Sequence, residues 1–204
     1  MRSLIGPPLL GVYAGGSWAL GDYVAGESDL DVAVVIDAPL GDQAAEALVA
    51  AVRHETMACP ARALELVVYT AETAAAGGID AGFQLNLNTG ERMATRIERD
   101  GQTGEPYWYP IDRAILAERG VSLFGPPAAA AFASAPRMQL LAVLRDSLDH
   151  WDPGRPHDEV LNRCREAYFE THGRWASKTD AGRWALTQPG ASEAIAAALA
   201  ARQP

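Results

Sequence analysis

The chain has 204 residues, 49% of them hydrophobic and 21% charged, a globular make-up that excludes a chain disordered throughout. Its 17 basic residues stand against 26 acidic ones, a formal charge of -9. That balance argues against nucleic-acid binding by phosphate neutralisation and would draw small cations, although acidity also serves solubility alone. No apolar run reaches the ~18 residues of a membrane span, and residues 1–14 lack the apolar core of a signal peptide. Cys59 and Cys164 belong to no CxxC or Cys/His cluster. The expectation is a cytoplasmic protein with reduced thiols and no membrane or zinc.

In chain order, LLGVYA (9–14) reads as a strand, GGS as a turn and SWALGDYV as a short helix. LDVAVVI (30–36) is an apolar, β-branched strand. Residues 42–54 follow as a helix with Asp42 as its N-cap, and ALELVVYT (63–70) as another strand. The run ETAAAGGIDAG is ambiguous; FQLNLNTG (83–90) alternates like a strand, and the turn-rich 99–110 reads as a linker. Beyond it come helices over 111–120, 125–132 with prolines at its first positions, 136–151, 157–173 ended by Gly173, and two more to the end. The expected class is α+β. A strand-bearing domain over 1–108 precedes an all-helical domain over 109–204, with a ligand cleft between them.

The chemistry concentrates in Gly16-Ser17, eleven residues, then Asp29-Leu30-Asp31-Val32. Residues two apart on a strand share a face, so Asp29 and Asp31 point together while Leu30 and Val32 face the core. Paired carboxylates raise each other's pKa unless a cation sits between them. Mg²⁺ suits the pair, since it takes hard oxygen ligands and bridges carboxylates to substrate phosphates. Gly16 permits close backbone approach, and Ser17 offers a hydroxyl to a phosphate at a helix N-terminus. Glu65, a lone acid in the apolar strand Leu64–Val68, is either an outward-facing residue or a site residue. With its strand beside 30–36, it would reach the aspartates as a third metal ligand or as the acceptor of a hydroxyl proton. Lys178 stands out as the one lysine among 16 arginines.

This set resembles the nucleotidyltransferase superfamily that includes DNA polymerase beta, and within it the bacterial aminoglycoside adenylyltransferases of the 3''/9 type. SDLDVAVV (28–35) is similar to the family's SDLDLLVV-like core, and ALELVVY (63–69) to its ALEVTVV-like strand. IDRAILAERGVSLFGPP (111–127) and CREAYFETHGRWASKTDAGRWAL (164–186) are similar to its later helical stretches. The likeness covers most of residues 10–187. It implies AMP transfer from ATP to a hydroxyl of a small, cationic acceptor of aminoglycoside or aminocyclitol type. It also implies Mg²⁺ on Asp29 and Asp31, Glu65 as catalytic base, and a nucleotide held by Gly16, Ser17, Ser28, Asp112, Arg165 and Lys178. Beside those roles stand plainer ones. Asp112 suits a helix start, Arg165 an i,i+4 pair with a helical acid, and Lys178 a solvated helix end.

The likeness has two gaps. Asn88 stands where the antibiotic-modifying members carry a tryptophan of the streptomycin-contacting surface, so streptomycin recognition does not carry over. The chain also ends at Pro204, where the family continues with further helices. Asp149, Trp151, Asp152 and Asp158 are candidates to meet the acceptor's amines, against the plainer reading of a solvated loop. The partners expected are ATP and a small-molecule acceptor, with the protein a monomer or weak homodimer. The alternatives are a transferase of the same fold acting on a protein or another metabolite, and a non-catalytic nucleotide-binding homologue.

Overall fold

The computed structural model describes residues 6–57, 60–99, 101, 107–150 and 156–202. The strands are β1 (Leu9–Ala14), β2 (Leu30–Ile36), β3 (Leu64–Thr70), β4 (Leu85–Gly90), β5 (Met93–Arg99) and β6 (Val121–Phe124). The helices are α1 (Gly16–Ala19), α2 (Asp42–Val52), α3 (Ala71–Ala75), α4 (Trp108–Arg119), α5 (Ala128–Ala131), α6 (Arg137–Asp149), α7 (Pro156–His172), α8 (Lys178–Ala185) and α9 (Glu193–Ala201). The class is α+β. The strands form one mixed sheet in the order β5-β4-β3-β2-β1-β6, with β2 and β3 parallel and the other pairs antiparallel.

Alternation along the central strands gives the sheet two different faces. One carries Val34, Ile36, Leu64, Leu66, Val68, Leu85 and Leu87, packed on Leu48 and Val52 of α2. The other is apolar at one end, where Val35, Tyr69 and Phe83 meet Tyr109 and Leu116 of α4 and Phe132 after α5. Its opposite end carries the polar residues Asp31, Glu65, Asn86 and Asn88. A third cluster joins Ile111 and Ile115 of α4 to Leu140, Leu141 and Leu144 of α6, with Phe169 of α7 and Trp175. The polar end of the sheet therefore faces the helices across a gap.

Several expectations change. The second half is not all-helical, because β6 pairs with the outer edge of β1. Four residues have too little pattern of their own; the free edge of β1 makes them a strand. Met93–Arg99 also forms a strand, β5, an edge with much of its surface in solvent, which is why charged residues occupy it. Helix α4 starts at Trp108, inside the expected linker; residues 102–106 of that linker lie outside the described residues. Gly41 rather than Asp42 caps α2, with Asp42 in its first turn. Pro127 caps α5 instead of beginning it. Helix α1 is a single turn rather than the span 17–24. Gly173 does end α7, at a φ of 66°. Cys164 is buried and free, and Cys59 lies outside the described residues. No helix among the described residues is long and apolar enough to cross a membrane.

Candidate active site

The register fixes a row of side chains across four strands. Asp31 on β2 pairs with Glu65 on β3, Glu65 with Asn88 on β4, and Asn88 with Arg96 on β5. Paired residues share a face and stand about 5 Å apart. The row floors a cavity of about 460 Å³ between the sheet and the helices. The nine residues expected to act in metal binding, catalysis or nucleotide binding all line it: Gly16, Ser17, Ser28, Asp29, Asp31, Glu65, Asp112, Arg165 and Lys178.

The turn after β1 is built around the Asp31 carboxylate. The Gly15 N–H donates to the Asp31 carbonyl at 2.9 Å. Gly16 has φ +48°, and a Cβ there would lie 1.7 Å from Asp31 Oδ2. Both the left-handed backbone and the close approach require glycine. The Ser17 hydroxyl is buried and has no hydrogen-bond partner among the described residues, which leaves it open to a water or a polar ligand. Helix α1 is only one turn long, too short to offer the helix dipole expected at this turn. Ser28 is buried, and its Oγ accepts from the Val24 N–H at 3.0 Å, which ties down the turn leading into Asp29.

The acids crowd one another. Burial pushes the Asp31 carboxyl up to about 7, helped by the charges of Asp112 and Asp29 and opposed by Lys178 and Arg165. Asp112, on the first turns of α4, is likewise pushed to about 7 by burial and by Glu65. Its environment is more than that of a surface helix acid. Asp29 is engaged differently: Arg62 Nε donates to its Oδ1 at 2.9 Å and Nη2 to its Oδ2. The expected set of Asp29, Asp31 and Glu65 on one metal is accordingly not preassembled. Among the described residues no group of three His, Cys, Asp or Glu side chains is placed to hold a metal ion, and Asp29 is engaged by the Arg62 guanidinium. Mg²⁺ does not need such a cage, since it binds through one or two carboxylates plus substrate phosphates and water. The crowded Asp31 carboxylate and the orphaned Ser17 hydroxyl suit a cation that arrives with a phosphate.

Cations face these acids from the helices. Arg165, on α7, does not pair with a helical acid; it donates to the Ala176 carbonyl at 3.2 Å and to Asn162 Oδ1 at 3.4 Å. Burial lowers its pKa. Lys178 opens α8 behind the Ser177 cap and meets Asp158 Oδ1 at 2.7 Å. It is not a solvated helix end: burial pulls it down to about 8 against the pull of Asp158. Asp158 thus faces Lys178 and, at 3.6 Å, Arg202. Asp149 is exposed at the end of α6, and Trp151 and Asp152 lie outside the described residues.

Sequence reasoning missed Arg62, Asp22, Arg202, Arg96 and Tyr109. Asp22 accepts from Thr179 N and Oγ1, at 3.2 and 2.6 Å, and pairs with Arg202 at 3.2 Å. It thereby ties the turn after α1 to α8 and α9. Beside Asn88, the Asn86 amide donates to Glu98 at 2.8 Å and to the Tyr109 hydroxyl at 2.9 Å. The one advance signal was the polar pair Asn86 and Asn88 in an otherwise apolar strand.

No protein-family model matches the chain, and no curated protein does. Among solved structures it is similar to the spectinomycin adenyltransferase AAD(9) from Enterococcus faecialis, determined with ATP and spectinomycin. The TM-score is 0.72 at 18% identity, covering 99% of this chain and 85% of the other. The chain thus has an aminoglycoside adenylyltransferase-like fold.

Proposed function

We propose that the chain is a nucleotidyltransferase that moves AMP from ATP to a hydroxyl of a small, cationic acceptor and releases pyrophosphate. The observation that carries this reading is the convergence of Asp29, Asp31, Glu65 and Asp112 with Arg165 and Lys178 around one cavity. Its resemblance to a fold neighbour determined with ATP and spectinomycin supports an aminocyclitol as the first acceptor to try.

The residues divide by chemistry. The Ser17 hydroxyl donates to a phosphate oxygen, and Gly16, with no Cβ, lets the Asp31 carboxylate sit against this turn. Lys178 and Arg165 offset the triphosphate charge from the helical side. Ser28 and Asp112 frame the nucleotide end. Asp29 and Asp31 would hold Mg²⁺, which when bound neutralises the phosphates and makes the α-phosphorus a better electrophile. Glu65, one strand from Asp31, takes the proton of the attacking hydroxyl. The acceptor oxygen bonds the α-phosphorus, the bond to the β-phosphate oxygen breaks, and pyrophosphate leaves with the electron pair. In this reading residues 1–108 supply Asp29, Asp31 and Glu65, and 109–204 supply Asp112 and close over the triphosphate with Arg165 and Lys178.

Thermal unfolding tests the binding half. ATP with Mg²⁺ at a hundredfold excess over Kd should stabilise the protein by about 2.7 kcal/mol. Spectinomycin should add a further rise only when both are present. No shift with ATP·Mg²⁺ at any concentration contradicts the reading.

A further inference from the structure

Arg62 stands in the turn before β3, held next to Asp29 by the backbone. Its N–H donates to the Ser28 carbonyl at 3.1 Å, and the Leu30 N–H donates to the Ala63 carbonyl at 2.9 Å. The guanidinium grips both Asp29 oxygens side-on. Asp29 lines the cavity, with its side chain 16% exposed and that of Arg62 34%. The field of Arg62 also reaches Glu65 and Asp158. A fork of this kind gives a carboxylate geometry as well as charge. It also occupies a carboxylate that a divalent cation needs.

We propose that Arg62 is the resident counter-ion of Asp29, holding this carboxylate until a divalent cation arrives with the nucleotide, so that the cation alone binds weakly. The inference rests on the reading of Asp29 and Asp31 as metal ligands. A naked dication approaching Asp29 meets the positive charge of Arg62 a few ångströms away and competes with it for the same two oxygens. A metal–ATP complex carries net negative charge and meets no such opposition; Arg62 then favours its entry. Arg62 is in this sense a positioning residue: it acts through Asp29 and takes no proton or phosphoryl group itself.

Calorimetric titration of the full chain with Mn²⁺ tests this, with and without α,β-methylene ATP, an analogue that cannot yield pyrophosphate. Arg62→Gln is expected to bind Mn²⁺ alone about tenfold more tightly than the wild type, the effect of removing one like charge a few ångströms away. The analogue should then strengthen Mn²⁺ binding less in the variant than in the wild type. Arg62→Lys, which keeps the charge and loses the fork, should fall between the two, and it carries the test if the glutamine variant does not fold. A merely structural role predicts the opposite sign, weaker Mn²⁺ binding in the variant. Unchanged or weaker Mn²⁺ affinity in both variants overturns the proposal, as does an unchanged effect of the analogue. AMP transfer by the wild type is measured in parallel. Transfer without the Mn²⁺ effect leaves the transferase reading standing and removes the counter-ion; the Mn²⁺ effect without transfer does the reverse.

Discussion

Replacing Glu65 with glutamine should leave ATP binding intact and slow AMP transfer by about 10²–10⁴-fold, the range a positioned general base contributes. The substitution keeps the shape and the strand pairing to Asp31 and Asn88 while removing the basicity. The affinity for ATP·Mg²⁺, read by calorimetry, separates the two roles open to this carboxylate. A base leaves that affinity near its original value. A metal ligand lowers it together with the rate. Transfer at the original rate removes Glu65 from the chemistry altogether.

Asp31→Asn is expected to abolish transfer and at the same time raise the stability of the metal-free protein. The carboxyl titrates near 7 in the fold, above its ordinary 3.8, chiefly because it is buried. Between those values the native state binds more protons than the unfolded chain, so stability falls as pH rises from about 4 to about 7. Above 7 the buried charge is fully present and its cost is greatest. Asparagine carries no charge to bury. At pH 8 the gain should be about 4 kcal/mol, or about 10 °C in Tm for a chain of this length. The variant should also lose less stability than the wild type between pH 5 and 8, with Asp112 still contributing. Melting curves without divalent cation check both. A lower Tm for the variant at pH 8 would mean that the Asp31 charge stabilises the fold.

The central layers were legible in the sequence because strand period and composition agree there. The β-branched run 30–36 is β2 to the residue, and 63–70 exceeds β3 by one. Alternation set Asp31 opposite Leu30 and Val32 and marked Glu65 as the lone acid of its strand, while their sharing a face and their adjacency both awaited the parallel pairing. The rest depends on partners far along the chain. β6 exists because β1 offers an edge. Arg62 meets Asp29 because parallel register sets the residues before β2 beside those before β3. Arg202 meets Asp22 across 180 positions. Periodicity encodes which face a residue takes, whereas such pairs are set by topology.

The most direct test follows the α-phosphate. The protein is incubated with ATP labelled at that position, Mg²⁺ and spectinomycin, then with other hydroxyl-bearing cations in turn. The expected result is label joined to the acceptor with one pyrophosphate released per transfer, lost in the Asp31→Asn and Glu65→Gln variants. Label recovered in ADP with transfer of the terminal phosphate, or acceptor-independent turnover that survives both substitutions, would contradict nucleotidyl transfer at this site.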